Sequence, residues 1–402
     1  MYNGKEVFLP PYQARKHLIF FRGGFCSMSS NSSASKVWFA PFRTRSAEGN
    51  KINQLKKIME IMKISSILKE DDLTAIKLHF GERGNDSYLN PVFARQIVDA
   101  VRSAGAKPFL TDTNTLYLGS RKNSVDHLET ALEHGYSYAT VRAPLIIADG
   151  LCSNDFIEFP IQGEFFTKVK LAHDIVEADS MVVLTHFKGH QMTGFGGAIK
   201  NLAMGCAPAK GKEDQHAYIH PDISEPDCVG CGTCASHCPE AAISIRDGKA
   251  HVDIKSCIGC GECATVCPVS CIKMGDHTDN VQFLKRLAEY GFGAWSQKKG
   301  HVAFINFLMN VTPECDCCAW SDAFLIPDVG IFASFDPVAL DRACVNMMNA
   351  QPGNPNSILD PDSLSPGADK IRGAHIDANW EVQLDHAEKL GMGTQKYELV
   401  EI

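Results

Sequence analysis

The chain carries two copies of one cysteine spacing, CVGCGTCASHCP from Cys228 and CIGCGECATVCP from Cys257. Each reads C-x2-C-x2-C-x3-C-P, and no other feature of the sequence limits the fold so sharply. The 402 residues hold sixteen cysteines in all. In a cytoplasmic protein disulfides are rare, so a run this dense is read first as a set of metal ligands. Zinc needs four ligands in one tetrahedron and does not call for two complete copies of a four-cysteine run. Glycines inside each run let backbone N–H groups approach sulfur, and the proline after the last cysteine turns the chain away.

The spacing resembles that of the bacterial ferredoxins, in which the fourth cysteine of each run ligates the other cluster. That resemblance implies two 4Fe–4S clusters. One would be held by Cys228, Cys231, Cys234 and Cys267, the second by Cys257, Cys260, Cys263 and Cys238. Between the runs, residues 242–245, the turn Asp247-Gly248 and residues 250–253 read as a short hairpin. A ferredoxin-like α+β module is therefore expected over residues 225–275, inserted between two parts of a larger core, 28–224 and 276–402. Cys271 lies at the module's edge and is not expected to be a ligand.

Outside the module the rhythm changes. Residues 73–79 read as a strand, Pro91 opens a helix that runs to Val101, Gly105 ends it, and residues 107–111 start the next strand. Further strands are expected at 35–39, 179–185, 301–307 and 328–333, with a helix from Pro337 through Val345. This alternation implies an α/β fold, a mostly parallel sheet with helices on both faces. Residues 1–27 look unlike the rest and are expected to be a disordered tail or an upstream extension of a start at Met28.

Ligands of such sheets sit beyond the carboxyl ends of the strands. There the sequence puts His79, Asp112 and Asn114, His186, Lys188 and His190, then the run Cys315-Asp316-Cys317-Cys318 and the pair Ser334 and Asp336. The segment HFKGHQMTGFGGAIK, residues 186–200, sets two histidines and two lysines around Gly194, Gly196 and Gly197. A helix expected to start at Ala198 would offer free N–H groups, and Lys188 and Lys200 add full charges, so an anionic ligand is expected. Candidate catalytic residues are His79, His186 and His190. The lysines, the three glycines and His216 are candidates for cofactor binding.

Cys206, Cys315, Cys317 and Cys318 remain, and grouped they would make a third metal or cluster site, with two of the CDCC thiols reaching one centre and Asp316 facing away. Cys152 and Cys344 read as small apolar residues.

The phrases LTDTNTLYLGSRKNSVDHLETALEHGY, THFKGHQMTGFGGAIKNLAMGCAPAKGKEDQH, TPECDCC and GIFASFDPVALDRA resemble the family called domain of unknown function 362, in its variant with an inserted ferredoxin module. A more distant likeness lies in the order His190, Lys200, His216, which is similar to a segment of the nickel-pincer lactate racemases. It implies a proton-transfer base at His190, a cofactor anchor at Lys200 and a metal ligand at His216. Cys206, the CDCC run and the cysteine module depart from the racemase pattern, which favours a shared fold with different cargo over shared chemistry.

A net charge of −8 and the lack of a long basic run exclude nucleic acid as an expected partner. No segment approaches the roughly 18 apolar residues of a membrane span, and a cytoplasmic location is expected. The sequence thus points to a redox protein whose clusters exchange electrons with a redox partner protein or a small anionic substrate. A flavin or other anionic cofactor is compatible with this, but no G-x-G-x-x-G follows the first strand. A non-catalytic electron carrier and a metal-dependent, non-redox enzyme are the alternatives.

Overall fold

Two segments, Ser180–His186 and Val302–Leu308, are buried at every position. Strands covered on both faces carry such uninterrupted runs. They form the centre of an eight-stranded sheet in a computed structural model that describes residues 34–402, except 218, 276 and the side chains at 277 and 278. The expectation for residues 1–27 falls outside the described residues.

The strands are β1 (Ser35–Pro41), β2 (Leu73–Lys77), β3 (Lys107–Asp112), β4 (Leu145–Ile147), β5 (Ser180–His186), β6 (Val302–Leu308), β7 (Gly330–Ser334) and β8 (Tyr397–Glu401). Their order across the sheet is β8-β1-β7-β6-β5-β2-β3-β4. Neighbours pair in parallel except at β7, which is antiparallel to both β1 and β6. The chain is an α/β protein with a mostly parallel sheet, as the alternation of elements implies.

Period-two side-chain alternation divides the core between the two faces. Met181 and Val183 of β5 join Phe304 of β6 and Phe332 of β7 on one face. Val182, Leu184, Ile305 and Ile331 point to the other. The first face packs helices Ala198–Ala203, His277–Gln297 and Pro337–Asn349; the second packs Lys51–Ile61 and Pro91–Ser103. Local chemistry starts two of these helices. Asn90 and Asp336 accept backbone N–H bonds at the N-cap, and a proline follows each.

The reversal of β7 relocates one expected group. Gly330 pairs with Leu308, so the carboxyl end of β7 lies at the opposite edge of the sheet from that of β6. Ser334 and Asp336 therefore sit far from the other strand tips: Ser334 donates to Lys36 O, and Asp336 accepts from Ser35 Oγ and caps its helix.

The two cysteine runs fold alike. Each contains a short helix, Thr233–Ser236 or Glu262–Thr265, entered through a glycine in the left-handed region, Gly232 (φ 82°) or Gly261 (φ 79°). Between them Ile243–Arg246 and Lys249–Val252 make the antiparallel hairpin read from the sequence. Pro221–Ile223 pairs with Ile272–Met274 and closes the segment. Among the described residues no helix is long and apolar enough to cross a membrane.

Candidate functional site

Beyond the carboxyl ends of β2, β3 and β5, and under the loop that follows β6, lies a cavity of about 1170 Å³. His79, His186, Lys188, His190, Lys200, His216, Cys315, Cys317 and Cys318 all line it. Part of the wall comes from the second cysteine run: Cys260, Gly261, Glu262 and Thr265. Gln191 Nε2 donates to Thr265 Oγ1 at 3.2 Å across the junction.

The glycines do less than expected. Gly194 (φ 74°) is not on the cavity wall, and a Cβ there would meet Trp380 at 2.5 Å, so its role is a tight turn under an aromatic ring. At Gly197 a Cβ would strike the Asp341 carboxylate. Asp341 accepts from Ala198 N at 2.7 Å and Ile199 N at 2.9 Å. The helix N-terminus expected to hold an external anion is thus filled by the chain's own carboxylate, which burial pushes up to about 6. Gly196 and Gly197 lie on the cavity wall, and a Cβ at Gly196 would press on the Lys188 and Lys200 stems.

Two buried ionic groups form the floor. Lys77 Nζ lies 2.9 Å from Asp112 and Arg121 Nη1 lies 3.5 Å from it, while Arg121 Nε pairs with Glu82 at 3.1 Å. Burial opposes ionisation of Asp112, but Lys77 and the cations around it win and hold the carboxyl below its usual range. In the second group His186 and Lys188 share Asp316, Lys188 at 3.1 Å. Asp316 is likewise held well below its usual range against the cost of burial. It does face away from the thiols, toward these cations.

The partners of the imidazole rings fix where their hydrogens sit. His186 Nδ1 faces both Asp316 oxygens at 2.8 and 3.0 Å, and Nε2 faces the carbonyls of Met309 and Asn310 at 2.9 and 3.1 Å. Both ring nitrogens thus face oxygens of the chain itself, and His186 clamps Asp316 to the start of the loop after β6.

His190 Nδ1 accepts the N–H groups of Met192 and Thr193 at 3.1 and 3.3 Å, and His79 Nδ1 accepts from Gly81 N at 2.9 Å. An amide N–H can only donate, so both rings carry their hydrogen on Nε2. His216 has the reverse arrangement. Its Nδ1 faces Gly259 O at 3.4 Å, which leaves Nε2 with a free lone pair. Burial, then Lys200 and Lys212, lower its pKa to about 3.

The CDCC run divides. Ligand atoms of His190, Cys315 and Cys317 lie within 4.8 Å of one another. Lys200 Nζ is 3.5 Å from Cys315 Sγ. Cys206 is absent from this group and from the cavity wall, because it faces the apolar core under the helix Ala198–Ala203, where burial pushes its thiol up to about 11. Its place in a third site is corrected accordingly. Asn114 also lies off the wall, held by Asp149.

The other eight cysteines surround two smaller spaces. Cys228, Cys231, Cys234 and Cys267 line one of about 300 Å³, where Cys271 Sγ adds a fifth thiol 3.5 Å from Cys267. Cys238, Cys257, Cys260 and Cys263 line the other, of about 350 Å³. The fourth cysteine of each run crosses to the space of the other run. Backbone donors turn toward sulfur: Ala242 N reaches Cys238 Sγ at 3.2 Å, and the N–H groups of Ala250 and Gly230 lower the Cys228 thiol. In donor number and type each space fits a cubane cluster.

Several wall residues escaped the sequence reading. Lys77, a charge inside the buried strand LTAIK, was a signal that could have been used. Arg121, on the wall, and its partner Glu82, behind it, sit in loops with no local mark. Lys212, by contrast, stands in the run NLAMGCAPAKGKEDQH that the sequence does mark out; it is buried, donates to Thr113 Oγ1, Asn114 O and Ala207 O, and is lowered to about 8 by burial. Glu262, between two cysteines of the second run, is pushed up to about 7 by burial.

No curated protein matches the chain. A solved structure of the lactate racemase apoprotein from Thermoanaerobacterium thermosaccharolyticum is similar at 12% identity, covering 64% of this chain and 49% of that one, with a TM-score of 0.35. A protein from Thermotoga maritima is similar at 10% identity, covering 75% of this chain and 60% of that one, with a TM-score of 0.38. The chain therefore spans about half to three fifths of the length of these two structures. Residues 74–346, more than half of the sequence, match the family described as Domain of unknown function (DUF362), and the chain belongs to that family.

Proposed function

We propose that the chain is an iron–sulfur redox protein in which two 4Fe–4S clusters, held by the two sets of four cysteines, exchange single electrons with an anionic molecule bound in the large cavity. One observation carries the reading: Cys260 lines both the second cysteine space and the large cavity. A ligand of one cluster would then form part of the substrate wall. The clusters, when bound, supply electrons one at a time.

The chain's own residues account for the rest. Lys200 has no carboxylate within salt-bridge distance among the described residues, so its charge is available to an anion. Lys188 is largely neutralised by Asp316 and positions more than it attracts. The free Nε2 of His216 can accept a hydrogen bond from a bound molecule, since burial and the lysines oppose its protonation, whereas His190 and His79 present N–H donors. Lined by cationic and imidazole groups, the cavity suits a small anionic substrate or an anionic cofactor such as a flavin. At the far end Cys231 is exposed, which suits electron entry from a redox partner protein.

A non-catalytic electron carrier would use the cysteine sets equally well but gives the cavity no task. A metal-dependent, non-redox enzyme related to the nickel-pincer racemases would use Lys200, His190 and His216, which share the cavity, but gives the cysteine sets only a structural task. Anaerobic purification with iron, sulfide, nickel and zinc measured per chain, and a visible spectrum for bound flavin, tests these. About eight irons with equal sulfide are expected. Protein prepared this way without iron or sulfide sinks the proposal.

A further inference from the structure

We propose, resting on the iron–sulfur reading, that Cys315 and Cys317 form a redox-active thiol pair that cycles between two thiols and a disulfide and is reduced through the clusters. Both thiols line the same cavity as Cys260, and their sulfurs lie within 4.8 Å of each other. The two side chains hydrogen-bond to one another. A turn with Cys318 N donating to Cys315 O at 2.9 Å holds the loop that carries them.

The grouping with His190 also has the look of a three-ligand metal site, and two features decide against that. Met192 and Thr193 donate to His190 Nδ1, so the ring's hydrogen sits on Nε2 and no lone pair is free for a metal. The Lys200 ammonium, 3.5 Å from Cys315 Sγ, already puts a positive charge beside the sulfur. The neighbouring thiol and burial push Cys315 up, and Cys317 is raised as well, so both sulfurs rest as thiols; Lys200 works against that rise at Cys315 and favours the anion that attacks a second sulfur.

In the reducing direction the Cys315–Cys317 S–S bond would break on gaining two electrons and two protons from solvent, giving two thiols; clusters held by the two cysteine sets would supply the electrons one at a time. In the opposite direction the thiols lose two electrons and two protons to an anionic two-electron acceptor bound in the cavity, and the S–S bond re-forms. The pair would thus convert two single-electron transfers into one two-electron step.

The test uses the full chain, prepared anaerobically, treated with diamide as thiol oxidant and then with reduced methyl viologen. At each stage the protein is denatured, alkylated and mapped by mass spectrometry. Diamide should remove two alkylation sites, Cys315 and Cys317, and the viologen should restore both. K200M should slow the diamide reaction about tenfold by withdrawing the charge that favours thiolate. The double variant C315S/C317S should keep the full iron and sulfide content. Thiols that stay alkylatable after diamide, or a disulfide from Cys317 to Cys318, overturn the pair. So does one equivalent of zinc, nickel or sulfide-free iron that is lost in C315S/C317S. A disulfide that forms in protein lacking iron sinks the cluster reading while supporting the thiol pair, and one that reduced clusters fail to open overturns the electron route.

Discussion

The two walls of the large cavity are built by opposite means. The sheet side is held by buried ion pairs, Lys77 with Asp112 and Lys188 with Asp316, set on strands with a continuous apolar core beneath. The cysteine side has a small apolar cluster of its own, and Cys228, Cys234, Cys263 and Cys271 supply much of it. One wall is preformed by packing, whereas the other gathers thiols that, on the proposed reading, would hold the clusters. Metal binding and folding are coupled in such segments. The comparison teaches that removing iron should loosen the roof of the cavity and leave its floor intact.

The largest effect should come from pairs of cysteine substitutions. C238S/C260S removes two ligands of one space and is expected to lower the iron content from about eight to about four. C234S/C260S takes one ligand from each space and is expected to leave almost none, although both variants lose two cysteines. Equal iron in the two proteins would break the interleaved assignment. Iron and sulfide analysis after anaerobic reconstitution makes the measurement.

A smaller contrast lies within the floor itself. H186Q removes one of two buried partners of Asp316 and leaves Lys188 as the other, and is expected to cost about 1 to 3 kcal/mol for the buried acceptors left unpaired. H190Q, on the cavity wall, should cost under about 1 kcal/mol. Urea denaturation followed by circular dichroism separates them, and equal losses would show that His186 is not a clamp.

A last contrast, in pH dependence, concerns Asp341. Its folded pKa is about 6 against an ordinary 3.8, so the folded state holds the extra proton between those values. The stability this lends is complete below 3.8 and is lost as pH rises through about 6. D341N should flatten the stability profile over that window, at a cost of about 1 to 3 kcal/mol for the mismatched amide at Ala198 and Ile199. An unchanged profile would mean that another group titrates there.

Much of the site was legible in the residues because local rules govern it. The apolar runs of β5 and β6 and the tips that follow them needed only periodicity, and Cys315 and Cys317 stood out as cysteines too close to ignore. The glycine-rich segment misled, since a helix N-terminus looks empty until its partner is known. Asp341 lies more than 140 positions away from it. His186 was no more legible, because the oxygens that face its two nitrogens come from segments brought there by the fold.

The sequence by itself determined the cysteine spacing, the α/β class and the residues that follow each strand, because short-range geometry dictates all three. Only the tertiary structure decided that β7 runs backward and carries Ser334 and Asp336 to the wrong end, and that Cys206 belongs to the core. It alone brought Cys260 to the wall opposite Lys200. These are meetings of side chains far apart along the chain, set by packing that no local pattern encodes.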